Sequence, residues 1–218
     1  MSFLKLEEIV CPCGEVFEAE LYNAINVNED PELKESLIAG EVNVVCCPNC
    51  REIFYAEHFV LYHDPASELI AFVYPSSFSH QAAHWRDKME KDFKNAMSEL
   101  GDTKSIKYEP MLVFGMDTLV EIIKNDDAFN DEVRILEHMA KELELALIKL
   151  HPALARPKDM PRVLPKPKAS KASERDDFIA GLSCLIKHNQ HLSSYRKFLQ
   201  LLEHDKKWKL DKKLVVSE

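Results

Sequence analysis

The side chains with the clearest chemical potential sit in two short clusters. Cys11-Pro12-Cys13-Gly14 and Cys46-Cys47-Pro48-Asn49-Cys50 hold five of the six cysteines of this 218-residue chain. A thiolate is a soft ligand, and a structural zinc takes four ligands in a tetrahedron. Two knuckles, each giving two sulfurs, meet that demand. Cys47-x-x-Cys50 has the usual knuckle spacing. Cys11-x-Cys13 is one residue tighter, so its turn must differ, and Gly14 can take a backbone conformation closed to other residues. The expected metal ligands are therefore Cys11, Cys13, Cys47 and Cys50, around a structural Zn2+, with iron as the rival ion. Reduced cysteines packed in a core, or a redox pair, are the alternatives. Cys46 could replace Cys47, but a two-residue gap counted from it lands on Asn49. It reads instead as a small buried hydrophobe at a strand end. Cys184 falls in an apolar helical pattern and reads as core.

Other candidates are weaker. His58 and His63 lie close to the second cluster in sequence, but four thiolates already fill a tetrahedron. His63-Asp64-Pro65 reads as a turn, and Tyr62 as a strand aromatic in the core. His80 and His84 are four apart on an expected helix, a spacing that can hold a metal, but Gln81 stands where the metalloprotease pattern needs glutamate. Glu132, Glu137, Glu142 and Glu144 could offer paired carboxylates for acid–base work. Their phases fit a solvated helix face better. The chain has no P-loop, no dinucleotide-binding glycine pattern and no serine elbow. Its five glycines offer little material for a phosphate cradle.

The stretch around the clusters resembles the CpXC domain family over about residues 8–75. The resemblance rests on Cys-Pro-Cys-Gly at 11–14, Asn-Val-Asn-Glu-Asp-Pro-Glu-Leu-Lys at 26–34 and Gly40-Glu41. It extends to Cys-Pro-Asn-Cys at 47–50, Leu-Tyr-His-Asp-Pro at 61–65 and Val-Tyr-Pro at 73–75. It implies a zinc-ribbon-like module of bacterial or archaeal type, with its paired cysteines at Cys11, Cys13, Cys47 and Cys50, and it implies no activity. The first pair here is C-x-C, and Arg51 stands where a ribbon often has glycine.

The elements that must position the cysteines follow from pattern. Phe3 to Val10 and Val16 to Tyr22 read as strands on either side of the first knuckle. Asp30-Pro31 is expected to start a short helix that Gly40 ends. Glu41 to Val45 and Ile53 to Leu61 flank the second knuckle, and Leu69 to Tyr74 is a further strand. From His80 the pattern turns helical. Trp85, Met89, Phe93, Met97 and Leu100 form one apolar stripe, closed by Gly101. Met116 to Lys124 reads as a helix. Asp126 or Asp127 is the expected cap of a second one, in which Phe129, Val133, Leu136, Leu143, Leu147 and Leu150 run to His151. Residues 152–174 hold five prolines and six basic residues and read as a mobile linker. Phe178, Leu182, Leu185 and Ile186 should face Tyr195, Phe198, Leu199 and Leu202 in a closing helical hairpin.

The expected fold class is α+β: a zinc-ribbon-like antiparallel sheet with an inserted short helix, then a mainly helical region. The expected segments are 1–77 (ribbon), 78–151 (helical), 152–174 (linker) and 175–218 (hairpin and basic tail). Net charge is −9, unevenly spread. Residues 1–75 carry 14 acidic and 3 basic side chains, and residues 152–218 carry 8 acidic and 15 basic. An acidic ribbon repels a phosphate backbone. No run of 18 apolar residues suggests a membrane span, and the lack of an export signal points to the cytoplasm, where structural disulfides are disfavoured. The expectation is a non-enzymatic protein-interaction module, with self-association through the helical region as one way to cover its apolar stripes. An enzyme using His63 and Asp64 is the first alternative. Nucleic-acid association through the basic C-terminal part is the second.

Overall fold

The computed structural model describes residues 2–100, 106–169 and 172–216. Gly101 and the side chain of Leu100 lie outside the described residues. The chain divides into two compact units, Met1–Lys124 and Asn125–Glu218. This division cuts across the four expected segments.

The first unit is built on a five-stranded sheet in the order β1-β2-β5-β6-β7. Strands β1 (Phe3–Val10) and β2 (Val16–Asn26) form a hairpin, and so do β5 (Val60–Asp64) and β6 (Leu69–Tyr74). β2 and β5 run parallel, as do β6 and β7 (Met111–Phe114). The sheet is therefore mixed, where an antiparallel ribbon was expected. The cause lies in the connections. Between β2 and β5 the chain passes through helix α1 (Glu32–Ile38) and a separate hairpin of β3 (Val44–Cys46) and β4 (Ile53–Tyr55). That is well beyond the dozen or so residues a parallel crossover needs. Between β6 and β7 it passes through α2 (Ala82–Leu100).

Both faces of the sheet are covered at β6. Ile25, Val60, Tyr62, Ala71, Val73 and Val113 bury against Leu37 of α1 and against Leu119 and Ile123 of α3 (Met116–Glu142). On the other face Ile70, Phe72 and Tyr74 bury against Met89 of α2, with Trp85 and Phe93 packed alongside. All six residues of β6 are buried, as a strand covered on both sides requires. The stripe on α2 thus finds its apolar partner in the sheet, with Met97 half-exposed. Helix α1 begins one residue later than expected. Pro31 takes the cap position without a side-chain bond, and Asp30 accepts instead from the Ser2 backbone N–H at 3.2 Å. Gly40 ends the helix as expected, at φ +76°.

In the second unit the expected boundary at Asp126 does not exist, because α3 runs unbroken from Met116 to Glu142. Asp126 is a buried carboxylate. It accepts from Arg156 Nε and Nη2 at 3.0 and 2.7 Å and from Arg162 Nη2 at 2.6 Å. The expected helix to His151 is also corrected. Glu144 takes a left-handed conformation (φ +54°), and the chain then enters β8 (Leu145–Lys149). Its partner is β9 (Val163–Pro167), inside the stretch that reads as a linker. That stretch is packed: α4 (Pro152–Ala155) precedes β9, and Ala155, Met160, Val163 and Leu164 are buried. Pro165 and Pro167 are tolerated because a two-stranded sheet is all edge. Helices α5 (Glu174–His188) and α6 (Ser193–His204) face each other through Phe178, Leu182 and Leu185 against Tyr195, Phe198 and Leu202. Cys184 is half-buried on α5 rather than core. The basic tail is pinned by Leu210 and Leu214, with Trp208 edge-on to Phe178 and Phe198.

Candidate metal centre

The two cysteine clusters sit at the tips of two hairpins. Cys11 to Glu15 closes the β1–β2 hairpin. Its Cys11 N–H donates to Glu15 O (2.8 Å) and its Gly14 N–H to Cys11 O (2.8 Å). Cys47 to Glu52 closes the β3–β4 hairpin in the same manner. There the Cys47 N–H donates to Glu52 O (2.9 Å) and the Arg51 N–H to Cys47 O (3.0 Å). In each knuckle the residue after the second cysteine is left-handed: Gly14 at φ +91° and Arg51 at φ +62°. The C-x-C knuckle is thus a version of the C-x-x-C knuckle one residue shorter. The longer one carries arginine at a left-handed position that favours glycine, at a backbone cost of about 1–2 kcal/mol.

Packing brings the tips together. Ile9 and Leu21 from the first hairpin bury against Val45 and Ala56 from and just beyond the second. Phe17 and Phe54 meet edge-on with ring centres 6.4 Å apart. Asn43 supplies the polar link. The Tyr22 N–H donates to Asn43 Oδ1 (2.8 Å), and Asn43 Nδ2 donates back to Tyr22 O (3.1 Å). The Asn43 carbonyl accepts from Ala56 N–H (2.9 Å). Asn43 is buried and left-handed (φ +58°), a conformation asparagine accepts more readily than most residues. Sequence reading missed this clamp. The one available signal was an asparagine beside the expected strand start.

The result is a four-sulfur cluster. The Sγ atoms of Cys11, Cys13, Cys47 and Cys50 all lie within 4.8 Å of one another, with Cys11 and Cys47 buried and Cys13 and Cys50 exposed. The Cys11–Cys50 and Cys13–Cys47 sulfurs are 3.6 and 3.8 Å apart. Four thiolates at the zinc–sulfur distance of about 2.3 Å form a tetrahedron with edges of about 3.8 Å. The donor set and its spacing therefore fit a tetrahedral metal ion. The thiols are also electrostatically unequal. Burial pushes Cys11 up to about 12. Burial acts the same way on Cys47, but backbone N–H groups of Cys50 and Asn49 and hydrogen bonds from Cys11 and Cys50 outweigh it and hold Cys47 down at about 7.

Cys46 stays outside the cluster. Strand alternation turns Val45 inward and Cys46 out to solvent, which corrects its reading as a buried hydrophobe. The histidines do not join either. His58 Nε2 faces Glu7 at 3.4 Å, and His63 Nε2 shares a hydrogen bond with Tyr108 Oη at 2.9 Å. Burial holds His63 below the ordinary histidine value. His63 and Asp64 are neighbours on one strand, so they project to opposite faces. Asp64 is buried, bonded to Ser67 and 3.6 Å from Lys34 Nζ. His80 lies in a 3₁₀ turn (Ser76–Gln81) and bonds Ser77 O, so its helical spacing to His84 is not realised. The four glutamates are dispersed. Glu132 accepts from Ser194 Oγ and from backbone N–H groups at the start of α6, Glu137 faces Lys149, and Glu142 faces His138.

Two cysteine knuckles held together beside a mixed sheet give this α+β chain a four-cysteine cluster capable of metal coordination. The chain belongs to the CpXC protein family, whose match spans residues 9–137. The match runs well past the second knuckle, through α2 and β7 and into α3. No curated protein and no solved structure matches the chain. Among the described residues, no helix is long and apolar enough to cross a membrane.

Proposed function

We propose that Cys11, Cys13, Cys47 and Cys50 bind one structural Zn2+, and that the chain is a non-enzymatic module that recognises another protein. The observation that carries this reading is the closed set of four converging sulfurs. A zinc ion held by four thiolates keeps no open position for a substrate or an activated water. Its contribution is to folding, by fixing two hairpin tips that a small apolar contact would hold weakly. Separation of His63 from Asp64 onto opposite sheet faces removes the most plausible catalytic pair and favours binding over turnover. The acidic character of residues 1–75 favours a protein partner over a nucleic acid. None of the six cysteines is joined in a disulfide, which suits a reducing compartment such as the cytoplasm.

The test is an affinity capture with the full chain beside Cys47→Ala and Cys50→Ala variants. A reproducible protein partner, lost when the knuckle is broken, is the expected result. Turnover of a small molecule that disappears in a His63→Ala variant would overturn it.

A further inference from the structure

The outer face of the β1–β2 hairpin is unusual in its charge pattern. The register pairs Leu4 with Tyr22, Leu6 with Glu20, Glu8 with Glu18, and Val10 with Val16, and antiparallel partners share a face. Leu4, Leu6, Val10 and Val16 are 43, 55, 65 and 52 % exposed. Glu8, Glu18 and Glu20 are exposed beside them, and the face carries no basic side chain. Glu8 and Glu18 stand directly opposite each other. Like charges in that position are destabilising, and among the described residues neither has an ion-pair partner. β1 is also the edge of the five-stranded sheet, eight residues long and without proline. A long free edge can pair with another chain, and the charges of Lys5, Glu7 and Glu8 on this one restrict which strands can do so.

The geometry points to this face and edge as the docking surface for an extended, basic–apolar segment of a partner protein. This rests on the interaction reading above and names the partner's chemistry. Its apolar side chains would cover Leu4, Leu6 and Val10. Its lysines or arginines would relieve the Glu8–Glu18 opposition, and its backbone would use the free edge of β1. A cation opposite an unpaired carboxylate pair gives both attraction and register, and strand addition to an open edge supplies main-chain hydrogen bonds. An acidic segment would be repelled, and a purely basic one would leave the apolar side chains uncovered.

The probe is a fluorescein-labelled nine-residue peptide with lysine at position 5, valine at positions 1, 3, 7 and 9 and threonine between them, so that lysine and valine share one strand face, followed by anisotropy against the zinc-loaded full chain at physiological salt. Controls are the matching glutamate–valine peptide and nonalysine. Binding of the lysine–valine peptide alone is expected. It should weaken at least tenfold in a Glu8→Gln/Glu18→Gln double variant and in a Leu6→Ser variant, with zinc content unchanged. The thermal midpoint of the double variant should not fall, because the substitution removes a repulsion. No binding, equal binding of nonalysine, or unchanged affinity in both variants would overturn the proposal. Capture experiments with the same variants separate the two claims. A partner held equally by wild type and variants overturns this face and leaves the interaction reading standing. Selective peptide binding without any captured partner supports the face and counts against the broader reading.

Discussion

The two units hold their hairpins together by different means. In the first, the contact between the knuckle hairpins buries four residues, Ile9, Leu21, Val45 and Ala56, among those described. In the second, β8 and β9 lie within a continuous core with 14 buried members among the described residues, from Leu136 to Leu214. A contact as small as the first stabilises weakly, since each fully buried aliphatic side chain contributes only about 1.5–3 kcal/mol before chain entropy is subtracted. A covalent-like link between distant segments is the physical remedy, and the four sulfurs stand where such a link belongs. The second unit has enough apolar surface to do without one.

Metal removal should divide the molecule most sharply. A structural zinc in small knuckle domains accounts for about 10–16 kcal/mol of apparent binding free energy. Chelation should therefore abolish hydrogen-exchange protection in residues 11–15 and 44–56 and leave α5 and α6 protected. Equal loss in both regions would break the comparison. The opposite lesion is Arg162→Ala. It strips one of the two arginines from the buried Asp126 carboxylate and removes the cation over the Phe129 ring, 4.5 Å from its centre. Breaking a buried ion pair costs about 3–5 kcal/mol. Denaturant unfolding should show that loss with zinc content unaffected.

Smaller substitutions sharpen the picture. Asn43→Ala removes both side-chain bonds to Tyr22 and should cost about 2 kcal/mol, at about 1 kcal/mol per hydrogen bond. The loss should grow after chelation, when packing and this clamp are all that join the hairpins. Gly181→Ala should destabilise the second unit by about 1–3 kcal/mol, because a Cβ there would sit 2.3 Å from the Pro165 carbonyl oxygen. The least effect, and the one of opposite sign, is Arg51→Gly. Relief of the left-handed arginine should raise stability by about 1 kcal/mol, measured as a higher thermal midpoint.

Sequence legibility follows the same division. The cysteine spacing, Gly40 as a helix stop, and the β1, β2 and β6 segments were readable because each depends on local chemistry or strand periodicity. The parallel pairing of β2 with β5 was not, because it depends on where a long crossover returns. Pro165 and Pro167 suggested a linker, since nothing local says that a strand will have only one neighbour. Asp126 read as a helix cap because its two arginine partners lie 30 and 36 residues away. Leu147 fits a helix or a strand equally, and the left-handed Glu144 decides between them.

The four converging cysteines are proposed to hold one zinc ion. X-ray absorption at the zinc edge on the purified full chain tests it directly. The expected result is one zinc per chain surrounded by four sulfurs at about 2.3 Å, and no zinc in a Cys47→Ser/Cys50→Ser variant. A shell containing nitrogen or oxygen ligands, a coloured iron-loaded protein, or a metal-free chain with paired disulfides would contradict it.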